Sequence, residues 1–167
     1  MSRGFVREGD QEEVPMVPQR AFLPAGVANF VTPNGMKELL DERQALTDEK
    51  ESLNITNENE KRIALNFINA KLQLLNNRIA EAKVVKPEEQ QGGIITFGAH
   101  VTLRTGTPKK TQTFQIVGVD EAAISKGKIS FISPLAKALI NKKIGDKAIL
   151  KRDSEEIVFE IIEITYR

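Results

Sequence analysis

The sequence predicts an α+β fold, in which an N-terminal antiparallel helical hairpin precedes a β-rich domain that carries one short helix. Three observations predict it: apolar residues recur every seven positions between residues 32 and 82, a polar turn interrupts that run, and short β-rich runs follow residue 93. The chain has 167 residues, of which 40% are hydrophobic and 28% charged. This length allows one compact domain plus an appendage.

The composition excludes several classes of site. The chain has no cysteine, which excludes disulfides and thiolate metal sites, and its single histidine, His100, argues against a histidine triad or a zinc site. No segment approaches the ~20 apolar residues that span a bilayer. The apolar N-terminal stretch is interrupted by Pro24, Gly26 and Asn29, unlike the core of a signal peptide. We therefore expect a cytoplasmic protein.

Residues 1–31 are predicted to form an extended or flexible N-terminal arm. Prolines and glycines interrupt this segment, and its apolar residues follow neither a helical nor a strand period. Phe22, Leu23 and Phe30 are the residues with which such an arm could lie against a neighbouring surface.

Residues 32–82 are predicted to form two helices that pack along each other. Thr32 and Pro33 favour a helix start, because a threonine hydroxyl caps free N–H groups and proline suits the first helical position. The polar residues 54–60, "NITNENE", form a turn between two heptad-spaced runs. A long parallel dimer is the alternative, but this turn favours an antiparallel hairpin. The spaced residues are Leu39, Leu46 and Leu53 in the first run, and Leu65, Ile68, Leu72, Leu75, Ile79 and Ala82 in the second.

A linker, residues 83–93, is predicted from its proline, glycine and polar content, and it precedes a C-terminal domain of residues 94–167. Ser133 and Pro134 start the one helix of this domain, which we expect to pack on an antiparallel sheet. The β-rich runs of that sheet are residues 94–97, 101–104, 113–117, 129–132, 148–150 and 157–165.

Several separated motifs resemble one family. "ITFGAHVTL", "FQIVGVDEA", "GKISFISPLAKALINKKIGDKAIL" and "FEIIEIT" resemble the C-terminal domain of the bacterial GreA/GreB transcript-cleavage factors, and "TPNGMKELLDE" resembles the start of their coiled coil. The resemblance covers residues 32–167. It implies an FKBP-like C-terminal domain that holds the rim of the RNA polymerase secondary channel, with a coiled coil that enters the channel. In the cleaving members, an acidic pair at the coiled-coil tip helps to hold a second Mg²⁺.

The sequence departs from the family at the tip. The family's Asp-Leu-Ser-Glu-Asn motif is absent, and the acidic candidates are Glu58, Glu60, Glu51 and Asp48. Compared with the family, each arm is shorter by roughly ten residues, or ~15 Å at the rise of an α-helix. We therefore expect a protein that occupies the channel and modulates elongation without strongly stimulating cleavage. The alternative is a true cleavage stimulator in which Glu58 and Glu60 share a Mg²⁺ with the polymerase.

The resemblance also implies how the chain docks. Ile132, Ser133 and Pro134 fall where the family's docking loop begins, and Asp120 lies in a turn that could meet a basic surface.

We expect RNA polymerase as the partner of a monomeric chain, indirect contact with the nascent RNA, and no membrane. We expect no catalytic residue, no cofactor and no metal of its own, so the chain would at most stimulate hydrolysis by the polymerase. A coiled-coil adaptor or an FKBP-like chaperone, each unrelated to transcription, is the competing class of protein.

Overall fold

Two long helices precede a five-stranded sheet in the computed structural model, which describes residues 15–90 and 92–167. In chain order the elements are β1 (Asn29–Val31), α1 (Pro33–Glu51), α2 (Glu58–Glu81), β2 (Ala82–Val84), β3 (His100–Thr105), β4 (Lys110–Val117), β5 (Lys128–Ser130), α3 (Pro134–Leu139), β6 (Lys147–Arg152) and β7 (Glu155–Thr165), with short 3₁₀ turns at Pro87–Glu89 and Ile124–Lys126. Among the described residues, no helix combines the length and the apolar character needed to cross a membrane.

The two long helices begin where capping residues predict. The Thr32 hydroxyl accepts a hydrogen bond from the Gly35 amide at 2.9 Å, and Pro33 occupies the first position of α1. The Asn57 side chain accepts from the Glu60 amide at 3.0 Å and caps α2.

The two helices run antiparallel and pack most closely at their shared base. Leu39, near the start of α1, and Leu75, near the end of α2, lie in one buried cluster with Val31. The early part of α1 therefore lies beside the late part of α2, which is the geometry of a hairpin.

A small parallel sheet closes this base, where β1 pairs with β2. The boundaries predicted at residues 31/32 and 82/83 therefore lie beside paired strands, and the division into domains stays a prediction. Phe30 contacts two aromatic rings of the C-terminal region, with centroid distances of 5.8 Å to Phe97 and 5.7 Å to Phe131. Phe22, by contrast, is 77% exposed.

The larger sheet has the strand order β5-β4-β3-β7-β6. Three of its strand pairs are antiparallel, but β4 and β5 are parallel, so the sheet is mixed and the expectation of an antiparallel sheet was wrong. The reason is the connection between β4 and β5. It doubles back through a turn and the 3₁₀ segment, so that the chain enters β5 in the direction of β4.

The core of the C-terminal region lies between this sheet and α3. Ser133 caps α3 by accepting a hydrogen bond from the Ala136 amide at 3.3 Å, and Ala136 and Leu139 of α3 are fully buried. The other buried members of the cluster are Ile95, Ala99, Val101, Leu103, Ile116, Ile129, Ala148, Phe159 and Ile161.

Residues 94–97 do not form the predicted strand. The Ile95 amide instead donates to the Lys142 carbonyl at 2.9 Å, and the Asn141 amide donates to the Ile95 carbonyl at 2.8 Å. Ile95 is fully buried. Ile95 thus packs into the core from a loop, and backbone hydrogen bonds to the segment after α3 hold that loop in place.

Candidate functional site

The acidic tip candidates lie at the far end of the helix pair. Asp48 and Glu51 belong to the last turn of α1, Glu58 and Glu60 belong to the first turn of α2, and all four are exposed. The Asp48 carboxylate accepts a hydrogen bond from the Gln44 amide group at 2.8 Å. The hairpin turn thus brings the predicted residues to one end of the molecule.

Spacing separates the tip residues into two kinds. Glu58 and Glu60 are two positions apart, and side chains with that spacing do not share a helix face. Asp48 and Glu51 are three positions apart and do share one. Among the described residues, no group of three or more histidine, aspartate or glutamate side chains could hold a metal ion. The spacing of Glu58 and Glu60 does not suit a shared Mg²⁺, and their metal role stays a prediction.

The helix dipole gives a structural account of one pair only. Glu58 and Glu60 lie at the N-terminus of α2, where negative charge is stabilising. Asp48 and Glu51 lie near the C-terminus of α1, where the same charge is unfavourable. The helix dipole therefore accounts for the position of Glu58 and Glu60 without any functional role. It does not account for the position of Asp48 and Glu51.

The predicted docking residues lie around the start of α3. Ile132 and Ser133 are half-buried, and Pro134 is exposed at the first position of the helix. The Ile132 amide donates to the Ser130 hydroxyl at 3.3 Å, and the Ser133 hydroxyl caps α3. Local hydrogen bonds thus fix the backbone of this loop, and its docking role stays a prediction.

The Asp120 carboxylate has two cationic partners within the chain. Its carboxylate accepts a hydrogen bond from Arg20 Nε at 3.0 Å and lies 3.7 Å from Arg78 Nη1. Only 9% of its side chain is exposed. Its cationic partners in the free chain come from the N-terminal segment and α2, and its docking role stays a prediction.

The neighbouring Glu121 is buried, and its carboxylate contacts the start of α1. The sequence did not predict this contact. Glu121 accepts hydrogen bonds from the Thr32 hydroxyl at 2.5 Å and from the Asn34 side-chain amide at 3.0 Å. Lys128 Nζ lies 3.2 Å away and completes an ion pair. The sequence predicted the helix cap at Thr32 and a turn at Asp120, but no sequence pattern indicates that the two lie side by side.

Arg20 connects the helix pair to the turn that carries Asp120. Its two terminal nitrogens donate to the two carboxylate oxygens of Glu42 on α1 at 2.8 and 2.9 Å, while its Nε donates to Asp120. The hydrogen bond with Glu42 and the charges of both carboxylates raise the pKa of Arg20 above its ordinary value. The segment that carries Arg20 is also fixed by Arg78, which donates to the Ala21 carbonyl.

These contacts form what we call the hairpin joint, which consists of Thr32, Asn34, Glu121 and Lys128 at the start of α1, and of Arg20, Glu42, Asp120 and Arg78 beside it. The joint holds the helix pair against the sheet region through charged side chains. The arrangement can therefore hold an acidic helix tip in a defined direction.

Comparison with known proteins shows similarity mainly in the C-terminal part. Residues 89–166 match the family model described as "Transcription elongation factor, GreA/GreB, C-term". The transcription elongation factor GreA of Hyphomonas neptunium is 37% identical over 101 residues, which are 60% of this chain and 64% of that protein. GreA of Halorhodospira halophila is 39% identical over 101 residues, with the same coverage of 60% and 64%. The chain thus spans just under two thirds of the length of these relatives.

Among solved structures, the prokaryotic transcription elongation factor GreA/GreB from Nitrosomonas europaea is 20% identical, with a TM-score of 0.41 over 82% of this chain and 98% of that one. The similarity to the GreA relatives and the matched domain model point to the same family. Residues 89–166 thus form a domain that matches the GreA/GreB C-terminal domain family.

Proposed function

We propose that the chain binds RNA polymerase as a Gre-like regulator of transcription elongation and acts through the secondary channel. It occupies the channel as a monomer, contacts the nascent RNA only indirectly, and modulates elongation more than it stimulates transcript cleavage. The match of residues 89–166 to the GreA/GreB C-terminal domain supports the polymerase as partner. Any hydrolysis of RNA is then performed by the polymerase, and the chain is not itself an enzyme.

The observation that carries the modulating role is the short helix pair with its divided acidic tip. α1 has 19 residues, which corresponds to a length of about 28 Å. Metal coordination tolerates errors of only about 0.2 Å, so side-chain flexibility does not compensate for an arm that is ~15 Å shorter than the family's. The two tip carboxylates on α2 also do not share a helix face.

The two parts of the chain have separate roles in this proposal. The C-terminal domain, FKBP-like by its resemblance, holds the rim of the channel with the loop of Ile132, Ser133 and Pro134. This loop suits docking because Pro134 is exposed while hydrogen bonds fix the backbone around it. The helix pair, as a short coiled-coil hairpin, then occupies the channel.

The proposal is tested with backtracked elongation complexes. Binding to purified polymerase, pause lifetimes and RNA cleavage rates are measured with and without the protein. We expect binding and altered pause lifetimes with little change in the cleavage rate. The paired variant Glu58→Gln/Glu60→Gln should behave like the unmodified protein in cleavage, and Glu156→Gln, an exposed carboxylate of β7, is the matched control.

Two contrary outcomes would favour a different function. Strong stimulation of cleavage that Glu58→Gln/Glu60→Gln abolishes would identify a true cleavage stimulator that shares Mg²⁺ with the polymerase. Absence of binding to the polymerase would instead favour a coiled-coil adaptor or an FKBP-like chaperone.

A further inference from the structure

We propose that Arg20 is a positioning residue that sets the direction of the helix pair relative to the C-terminal domain. The geometric part of this inference concerns the free protein, and its consequence for elongation rests on the proposed function. Arg20 lies outside the part of the chain that matches the GreA/GreB domain.

A first contact fixes the start of α1. Glu121 accepts hydrogen bonds from Thr32 and Asn34, and its carboxylate lies so close to the helix that a Cβ on Gly35 would be 2.7 Å from Glu121 Oε1. Contact at one end holds that end of a rod. It restrains the tilt of the rod much less.

Arg20 makes a second contact farther along the same helix. Glu42 lies seven residues after Gly35, and this separation corresponds to about 10 Å along the helix axis. The guanidinium binds both oxygens of Glu42 and also Asp120, the residue that precedes Glu121. Residues 120–121 are therefore linked to α1 at two points along its length. Two such points define the direction of the helix.

The geometry of the guanidinium suits this role. Arginine presents several N–H donors in a rigid planar fork, so it can bind a carboxylate with two bonds while it donates to a second acceptor. The Arg20 side chain is 18% exposed and that of Asp120 is 9% exposed, so solvent screens this part of the bridge less than an ordinary surface pair.

The segment that presents Arg20 is itself held in place. It borders a cleft of about 400 Å³ between the N-terminal segment and the two long helices, which Pro18, Leu46 and Leu74 help to line. The hydrogen bond from Arg78 to the Ala21 carbonyl adds an attachment to α2. Arg20 therefore bridges two carboxylates from a backbone that is fixed on the helix pair.

A small change in the tilt of the helix pair produces a large displacement at its tip. α2 has 24 residues, or about 36 Å of helix, so a tilt of about 10° moves the tip by about 6 Å. A displacement of that size exceeds the reach of a hydrogen bond or a metal ligand. The direction of the hairpin thus decides which groups its tip can contact.

Paired spin labels measure this direction in the free, full-length chain. The absence of cysteine allows labels at Lys50→Cys in the last turn of α1 and at Lys151→Cys on β6, both of which replace exposed residues. We expect a narrow distribution of label distances with Arg20 present. In Arg20→Gln, we expect the distribution to broaden or shift by about 6 Å, the displacement that a tilt of about 10° produces at the tip.

Matched variants make the result specific. Arg43→Gln removes an exposed arginine from α1 and should leave the distribution narrow. Arg20→Lys keeps the charge but loses the planar fork, so it should broaden the distribution as well, and it replaces Arg20→Gln if that variant loses helical circular dichroism. An unchanged distribution in folded Arg20 variants, or equal broadening in Arg43→Gln, would overturn the inference.

The same variants separate this inference from the proposed function. If the distribution broadens in Arg20→Gln but the unmodified protein does not bind polymerase, the positioning role stands and the proposed function fails. If the unmodified protein alters elongation while folded Arg20→Gln keeps a narrow distribution, the positioning role alone fails. If both proposals hold, Arg20→Gln should bind polymerase and lose most of its effect on pausing.

Discussion

Glu121 shows how one buried charge can join two parts of a chain. It is 6% exposed, yet three donors from two separate regions surround its carboxylate: the Thr32 hydroxyl, the Asn34 amide group and the Lys128 ammonium group. A buried carboxylate is costly unless it is paired and hydrogen-bonded. The hydrogen bonds and the ion pair of the Glu121 carboxylate therefore require that the start of α1 and the start of β5 stay close together.

Replacement of Glu121 by glutamine should destabilise the protein. The amide keeps the size of the side chain, but its NH₂ group must face a donor, and Lys128 loses its counter-charge. We expect a loss of about 2–4 kcal/mol in the free energy of unfolding, measured by urea denaturation. Glu156→Gln, an exposed residue of β7, should change it by less than about 0.5 kcal/mol. Equal effects of the two substitutions would show that Glu121 does not hold the joint.

His100 should make the stability depend on pH. Burial, and then the positive charges of Arg167 and Lys128, lower its pKa below the ordinary value of 6.5. Between the folded and the unfolded pKa the unfolded chain binds more protons, so the free energy of unfolding should decrease as the pH falls below about 6.5.

The measurement compares the unmodified protein with His100→Gln. Because His100 is the single histidine, His100→Gln should have a flatter profile of unfolding free energy between about pH 5 and pH 7. Parallel profiles for the two proteins would contradict the lowered pKa.

At the scale of elements, the helix pair depends on a small apolar base. Leu75 is fully buried between α1 and the small sheet, whereas Leu40, on α1, is 38% exposed. Both residues are leucines within long helices, so they differ mainly in burial. This difference allows packing to be separated from helix propensity.

Leu75→Ala should cost about 2–5 kcal/mol of unfolding free energy, because it removes apolar contacts and leaves a cavity. Leu40→Ala should cost less than about 1 kcal/mol, since alanine has a higher helix propensity than leucine and little buried area is lost. Thermal unfolding followed at the helical band at about 222 nm measures both variants. Similar costs would mean that the cluster does not hold the helices.

The sequence predicted the elements that local chemistry specifies. The mixed fold of helices and sheet is confirmed, and α1 begins at Pro33, where the Thr32-Pro33 cap predicts it. The run at residues 94–97 was wrong as a strand, because a buried apolar loop has the same composition as a buried strand. The direction of β5 was also wrong, because it depends on the path of the preceding turn.

The joint could not be predicted because its partners lie far apart in the sequence. Arg20 and Asp120 are separated by 100 positions, and Thr32 and Glu121 by 89. Each residue alone is an ordinary charged or polar residue of a turn or a helix start. Only the fold brings these residues together, so no local sequence pattern could have predicted the joint.

At the scale of the whole molecule, two apolar clusters are joined by charged contacts and by a group of aromatic rings. One cluster lies between the sheet and α3, and the other lies at the base of the helix pair. Phe30 adds an apolar contact between them through Phe97 and Phe131. The hairpin joint supplies the charged contacts. Stability should therefore be distributed unevenly, and the end of the helices farthest from both clusters should be the least protected.

Hydrogen exchange should reveal this gradient along the helix pair. Amides of residues 43–51 and 58–65, around the exposed tip, should exchange faster than those of residues 36–40 and 75–81, which flank the buried Leu39 and Leu75. Local opening requires less free energy where few apolar contacts are buried. Mass spectrometry of peptic peptides measures the rates, with β3 and β7 as the protected reference. Uniform protection along both helices would mean that the tip is stabilised by contacts other than those at the base.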